Sequence, residues 1–130
     1  MKNMQMIIML IISLFVSCSE QNNDIDKIEN PLKGEWNLKQ ISGGFSESEQ
    51  YNNGDVVFHF TENDSVNIKF GIVLENSSKF PFTSDTVLYY EYDSVEIIIG
   101  DFEFEYVIAD SLLKLIDNLA SDGIMLELKK

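Results

Sequence analysis

Phe102-Glu103-Phe104-Glu105-Tyr106-Val107-Ile108 decides the fold: Phe102, Phe104, Tyr106 and Ile108 fall on one side of an extended chain, Glu103 and Glu105 on the other. Successive side chains of a β-strand point to opposite faces, so this period of two predicts a strand with one face in a core and the other in water. Val66, Ile68, Phe70, Ile72 and Leu74 repeat the pattern against Asn67, Lys69 and Gly71. Further short apolar runs, bounded by turn residues, predict strands over 36–41, 56–61, 87–92, 95–99, 112–116 and 124–128. That makes eight, with no credible helix after residue 17. Strands so evenly spaced predict an antiparallel meander, and closing it removes the free edges that invite aggregation. The expected fold is all-β: a single small up-and-down barrel of about eight antiparallel strands over residues 31–130.

A recurring tripeptide punctuates the strands: Asp64-Ser65-Val66, Asp85-Thr86-Val87, Asp93-Ser94-Val95 and Asp110-Ser111-Leu112. Aspartate and serine suit turns because their side chains bond the nearby backbone, and the aliphatic residue starts the next pleat. Hairpin punctuation is the ordinary explanation.

Composition narrows the function classes. The chain of 130 residues carries 22 acidic residues and nine lysines, with no arginine and a net charge of −13. Bidentate arginine clamps on phosphate or carboxylate are therefore absent. Nucleic acid is disfavoured as a partner, because its affinity rests on neutralising phosphates. His59 is the sole histidine and shares a strand face with Val57 and Thr61, opposite Phe58 and Phe60. A solvent-facing strand residue is the expected role, and no serine stands in a nucleophile-elbow context. Without a cysteine pair or a second histidine, and with no EF-hand pattern in Asp24-Ile25-Asp26 or Glu62-Asn63-Asp64, no metal site is expected. The expectation is a non-enzymatic protein without a cofactor.

The N-terminus supplies an address. Lys2 is followed by the apolar run Met6 to Val16 and then by Ser17 and Cys18, the only cysteine. The run is about half the length needed to cross roughly 30 Å of hydrocarbon. A basic start, a short apolar stretch and a small residue before the processing point are the marks of a secretory signal. Leu14-Phe15-Val16-Ser17-Cys18 resembles the bacterial lipobox, with Phe15 where leucine is usual, and implies lipidation of Cys18 after removal of residues 1–17. Loss of Lys2 with the signal takes the mature form to −14. Residues 18–30 then read as the lipidated cysteine and a flexible acidic linker, too polar to offset the entropy of ordering. The implied location is the cell envelope, as an outer-membrane lipoprotein on the periplasmic face or at the cell surface. The acidic run behind Cys18 faintly resembles the surface-export signals of some Bacteroidota lipoproteins.

Leu32-Lys33-Gly34-Glu35-Trp36, leading into the first strand, resembles the Gly-x-Trp signature of the lipocalin superfamily. The final hairpin, Ala120 to Lys130, is similar to that of small lipocalin-like lipoproteins of Bacteroidota. The resemblance implies that Trp36 closes one end of the barrel beneath a basic side chain of the last strand, here Lys129 or Lys130 in place of the usual arginine. It also implies a possible interior ligand, for which Phe58, Phe60, Phe70, Tyr89, Phe104 and Tyr106 are the candidate lining, with Phe102 beside them. So bulky a set in so short a domain predicts a shallow or filled interior. Asp-Ser/Thr-aliphatic also resembles the O-glycosylation motif of Bacteroidota, which makes Ser65, Thr86, Ser94 and Ser111 candidate acceptors; Asn63-Asp64-Ser65 and Asn76-Ser77-Ser78 fit the N-glycosylation pattern more weakly. Two functions stay open. The first is a membrane-anchored module that binds a small apolar ligand, or presents loops such as Gly43 to Gly54 to an envelope partner. The second is a structural or accessory lipoprotein with a filled barrel.

Overall fold

The computed structural model describes residues 29–44, 47–74, 80–117 and 123–130. The expected signal peptide, Cys18 and the expected linker before Glu29 lie outside the described residues, as does Asn76-Ser77-Ser78. Nine strands run in chain order: β1 (Gly34–Gly43), β2 (Glu49–Gln50), β3 (Val56–Phe60), β4 (Ser65–Phe70), β5 (Thr86–Tyr92), β6 (Glu96–Ile99), β7 (Phe102–Ala109), β8 (Leu112–Ile116) and β9 (Ile124–Lys129). Each of the eight longer strands pairs antiparallel with the next, and β1 pairs with β9, so the meander closes into a barrel. β2 adds a two-residue extension on the β3 edge of β1, through Gln40↔Gln50 and Ile41↔Glu49. The described residues contain no helix.

Alternation places one side of each of the eight longer strands inside. Val56, Phe58 and Phe60 of β3 are buried, as are Val66 and Ile68 of β4, Ile97 and Ile99 of β6, Leu113 and Leu115 of β8, and Leu126 and Leu128 of β9. Phe104 of β7 is buried between exposed Glu103 and Glu105, as the opening stretch predicts. No polar or charged side chain is buried among the described residues. β1 departs from strict alternation: Trp36, Leu38 and Ile41 all face inward. The register against β9 jumps between Leu38↔Leu128 and Gln40↔Glu127. That bulge inserts one residue, Lys39, and returns the strand to its core-facing phase. Above the bulge β1 crosses close to the last hairpin. At Gly43 (φ +101°) a Cβ atom would stand 2.2 Å from the Gly123 carbonyl oxygen, so only glycine fits.

Three expectations need correction. β4 ends at Phe70, so Ile72 and Leu74 leave the alternating face and Ile72 is exposed. Tyr89 points outward, 80 % exposed, and Tyr90 takes the interior place. The cause is register: Val66↔Leu88 and Ile68↔Thr86 align the inward positions of β4 with the even-numbered positions of β5. Phe102 and Tyr106 share the inward phase with Phe104, but Phe102 is 39 % exposed at one rim and Tyr106 is half-buried toward the other.

Candidate functional site

The lower end of the barrel, where β1 starts and β3 ends, is sealed by the turn before β1. Asn30 organises it: its Oδ1 accepts the Leu32 N–H at 3.0 Å, and its carbonyl accepts the Lys33 N–H at 3.1 Å. Leu32 is fully buried, and its carbonyl accepts the Trp36 Nε1–H at 2.6 Å. The otherwise orphaned indole donor is thereby satisfied inside an apolar core. Lys130, not Lys129, supplies the cation, its Nζ standing 4.7 Å from the Trp36 ring centroid. The Lys130 N–H donates to the Ser111 carbonyl at 3.0 Å, fixing the residue beyond the last strand. Lys33 and Glu62 form an ion pair across the same rim. Tyr90 reaches this end from inside: Asn30 Nδ2 donates to its hydroxyl at 2.5 Å, and the hydroxyl donates to the Thr61 carbonyl at 3.3 Å. Burial pushes the Tyr90 hydroxyl above its ordinary pKa, partly opposed by the Asn30 hydrogen bond.

The opposite, upper end is filled by a segment that alternation does not reveal. Phe80 and Phe82, in the connection from β4 to β5, are buried. Phe80 meets Phe58 and Phe70 edge-on at centroid distances of 6.0 and 5.6 Å. Phe82 meets Phe58 at 6.0 Å and Phe102 at 5.1 Å, also edge-on. These are favourable aromatic geometries. Phe58 and Phe60 stack in turn at 6.3 Å, and Phe60 meets Tyr90 edge-on at 5.0 Å. A chain of rings therefore runs from the upper mouth to the lower seal. The candidate ligand-lining residues Phe58, Phe60, Phe70 and Phe104 belong to this packed core or lie against it, and Tyr106 spends its hydroxyl on the Asp93 carbonyl at 2.6 Å. Sequence reasoning missed Phe80 and Phe82 because they lie outside any strand; an aromatic pair around Pro81, flanked by the polar runs 75–79 and 83–85, was the signal.

Outside the barrel, Val87, Tyr89 and Ile98 stand exposed on the β5–β6 face. A cleft of about 460 Å³ runs beside them, lined by Leu88, Glu91, Gly100 and Asp101 among others. A second, of about 400 Å³, is lined by Phe102 and Phe104 together with Glu96, Asp101, Glu103, Glu105 and Asp117. His59 is exposed on β3, flanked across the sheet by Glu35 and Asn67. No group of three or more His, Cys, Asp or Glu among the described residues is arranged to hold a metal ion.

The four aspartates of the recurring tripeptide each have a backbone task. Asp64 and Asp110 adopt φ 52°, the left-handed conformation that aspartate tolerates in turns. Asp85 Oδ1 accepts the Phe70 N–H at 2.8 Å, tying the end of β4 to the start of β5. Asp93 Oδ1 accepts the N–H groups of Val95 at 2.7 Å and Glu96 at 2.8 Å. Turn punctuation accounts for the aspartates. Of the neighbouring hydroxyls, Ser94 and Ser111 are exposed, Thr86 is half-buried, and the Ser65 hydroxyl lies 2.8 Å from that of Thr61.

The hydrogen bonds from Glu96 and Val95 hold the Asp93 carboxyl below its ordinary pKa. A carboxyl lowered by folding stabilises the native state above its unfolded value of about 4, and that contribution fades as pH falls through the folded value. Asp93→Ala is therefore expected to lower the melting temperature at pH 7, with the gap from the parent narrowing below about pH 4. Thermal melts across that range check it; a gap constant down to pH 2 contradicts the role.

Compared with known proteins, the chain matches no family model and no curated relative.

Proposed function

We propose that this protein is a lipid-anchored, non-enzymatic envelope lipoprotein that acts through the outer surface of its barrel on an envelope partner, with no small molecule carried inside. The aromatic plug carries this reading: Phe80 and Phe82 occupy the upper mouth where a ligand would enter, and Trp36 and Leu32 occupy the lower end. Small barrels either fill with side chains or hold one small ligand. Here side chains take the space, which favours the partner reading over the interior-ligand one.

The address rests on Cys18 behind its short apolar run. A single acyl chain binds a membrane only marginally, and each further buried methylene adds about 0.8 kcal/mol, so a multiply acylated Cys18 would hold the protein stably. The tether joins the barrel at Asn30, on the sealed lower end. From Cys18 to Asn30 it spans at most about 40 Å fully extended, and the upper loops lie at the end of the barrel opposite the point of attachment.

Cys18→Ala is the test of the anchor. The parent is expected to incorporate labelled palmitate and fractionate with membranes; the variant is expected to take up no label and keep its melting temperature. Label retained on the variant overturns the assignment.

A further inference from the structure

β5 is paired unevenly along its two edges. On one side it meets β4 over Thr86–Tyr89; on the other it meets β6 only over Tyr90–Tyr92, followed by one bond from the Gly100 N–H to the Tyr89 carbonyl at 2.9 Å. On the β6 side, Thr86, Val87 and Leu88 have no ladder partner among the described residues. Alternation fixes which groups face that opening. The Tyr90 N–H donates toward β4, to the Asp64 carbonyl, and the Tyr89 carbonyl accepts on the β6 side. Val87, two residues before Tyr89, thus turns its own N–H and C=O into the opening. An unpaired strand edge is a template for another strand.

The side chains beside that edge suit an occupant. Val87 is 66 % exposed, Tyr89 80 % and Ile98 42 %, on a surface where neighbouring outward residues are polar or charged. The cleft of about 460 Å³ runs along them. Glu91 and Asp101 line it.

Charge selects the occupant. A second copy would bring the same acidic rim and its own net charge, −14 once residues 1–17 are removed, to the contact. The chain's own tether carries Glu20, Asp24, Asp26 and Glu29 against Lys27 alone, and is repelled likewise. Resting on the reading of the barrel as surface-acting, we propose that the upper edge of β5 receives an extended segment of a partner protein in which lysine or arginine alternates with apolar residues. Val87 bonds its backbone, Tyr89 and Ile98 pack its apolar side chains, and Glu91 and Asp101 meet its cations.

The test measures fluorescence anisotropy of labelled decapeptides titrated with the full-length protein in detergent micelles. A peptide alternating Lys and Val is expected to bind at least about ten-fold more tightly than one alternating Lys and Pro, which keeps the charge but cannot run as a strand. The double variant Tyr89→Lys/Ile98→Lys changes only exposed side chains, so it is expected to keep its melting temperature and lose about ten-fold in affinity. Val87→Pro removes the edge donor and is expected to weaken binding similarly. Equal affinity for the two peptides, or undiminished binding by the double variant, overturns the proposal. A dimer of the parent chain that the double variant dissolves assigns the edge to a second copy and overturns it too. Palmitate incorporation by the parent is independent of all these outcomes, so the docking edge and the membrane anchor fail separately.

Discussion

Trp36→Ala is expected to lower the melting temperature of the barrel by about 15–25 °C, the largest effect of any single substitution at its lower end. Removing a buried tryptophan costs about 3–5 kcal/mol, and in a domain of this size each kcal/mol moves the midpoint by about 4–8 °C. Trp36 is fully buried, and three separate elements meet on it: the turn at Leu32 through the indole N–H, the interior through the ring faces, and the residue after β9 through Lys130. Truncation leaves a void and strips the buried Leu32 carbonyl of its donor together. Lys130→Ala loses only the cation–π contact, worth about 0.5–1 kcal/mol at an exposed site. The expected order of melting temperatures by circular dichroism is parent, Lys130→Ala, Trp36→Phe, then Trp36→Ala. An unchanged midpoint for Trp36→Ala would remove the tryptophan from its sealing role.

Phe82→Ala is expected to cost about 3–4 kcal/mol and to give the barrel a property it otherwise lacks. Phe82 lies between Phe58, Phe80 and Phe102, so its loss leaves an apolar void at the upper mouth. Apolar cavities of this kind stay dry and accept apolar molecules. The variant is therefore expected to bind a fluorescent fatty acid that the parent ignores. Phe80→Ala/Phe82→Ala should cost less than the two single losses combined, since the rings touch at 5.4 Å and share neighbours. Strong fatty-acid binding by the parent, undiminished by competition with the variant's void, would show that the interior is open and reverse the preference for a surface role.

Much of the barrel was readable because its strands carry a clean period of two. β8, Leu112–Ile116, has the predicted bounds, and β7 keeps Phe104 inside between two exposed glutamates. The reading faltered wherever local pattern left the phase open. Val87 to Tyr92 has bulky residues on both faces, so its phase depends on pairing with β4 and could not be read from the segment itself. The bulge at Lys39 is likewise set by the crossing with β9. β2 is only two residues long and carries no pattern of its own. Phe80 and Phe82 form no strand; they are placed by the room left at the upper mouth, which depends on every strand at once. At the lower end, choosing Lys130 over Lys129 as the cation beside Trp36 required the last strand's register, in which Lys129 pairs with Asn37 and Leu112. The Asp-Ser/Thr-aliphatic repeats were legible as turns, and the structure gives each aspartate a backbone reason: a left-handed φ for Asp64 and Asp110, accepted backbone N–H groups for Asp85 and Asp93. The β5 edge was invisible in the sequence, because an edge without a ladder partner among the described residues is a property of two neighbouring strands.

The central claim, a lipid-held barrel with no small-molecule cargo, is tested most directly by native mass spectrometry of the full-length protein purified from the envelope. The account predicts the mass of residues 18–130 with acyl chains on Cys18, and no further mass released on unfolding. A stoichiometric small molecule released on unfolding, or an unprocessed chain without acyl groups, would contradict it.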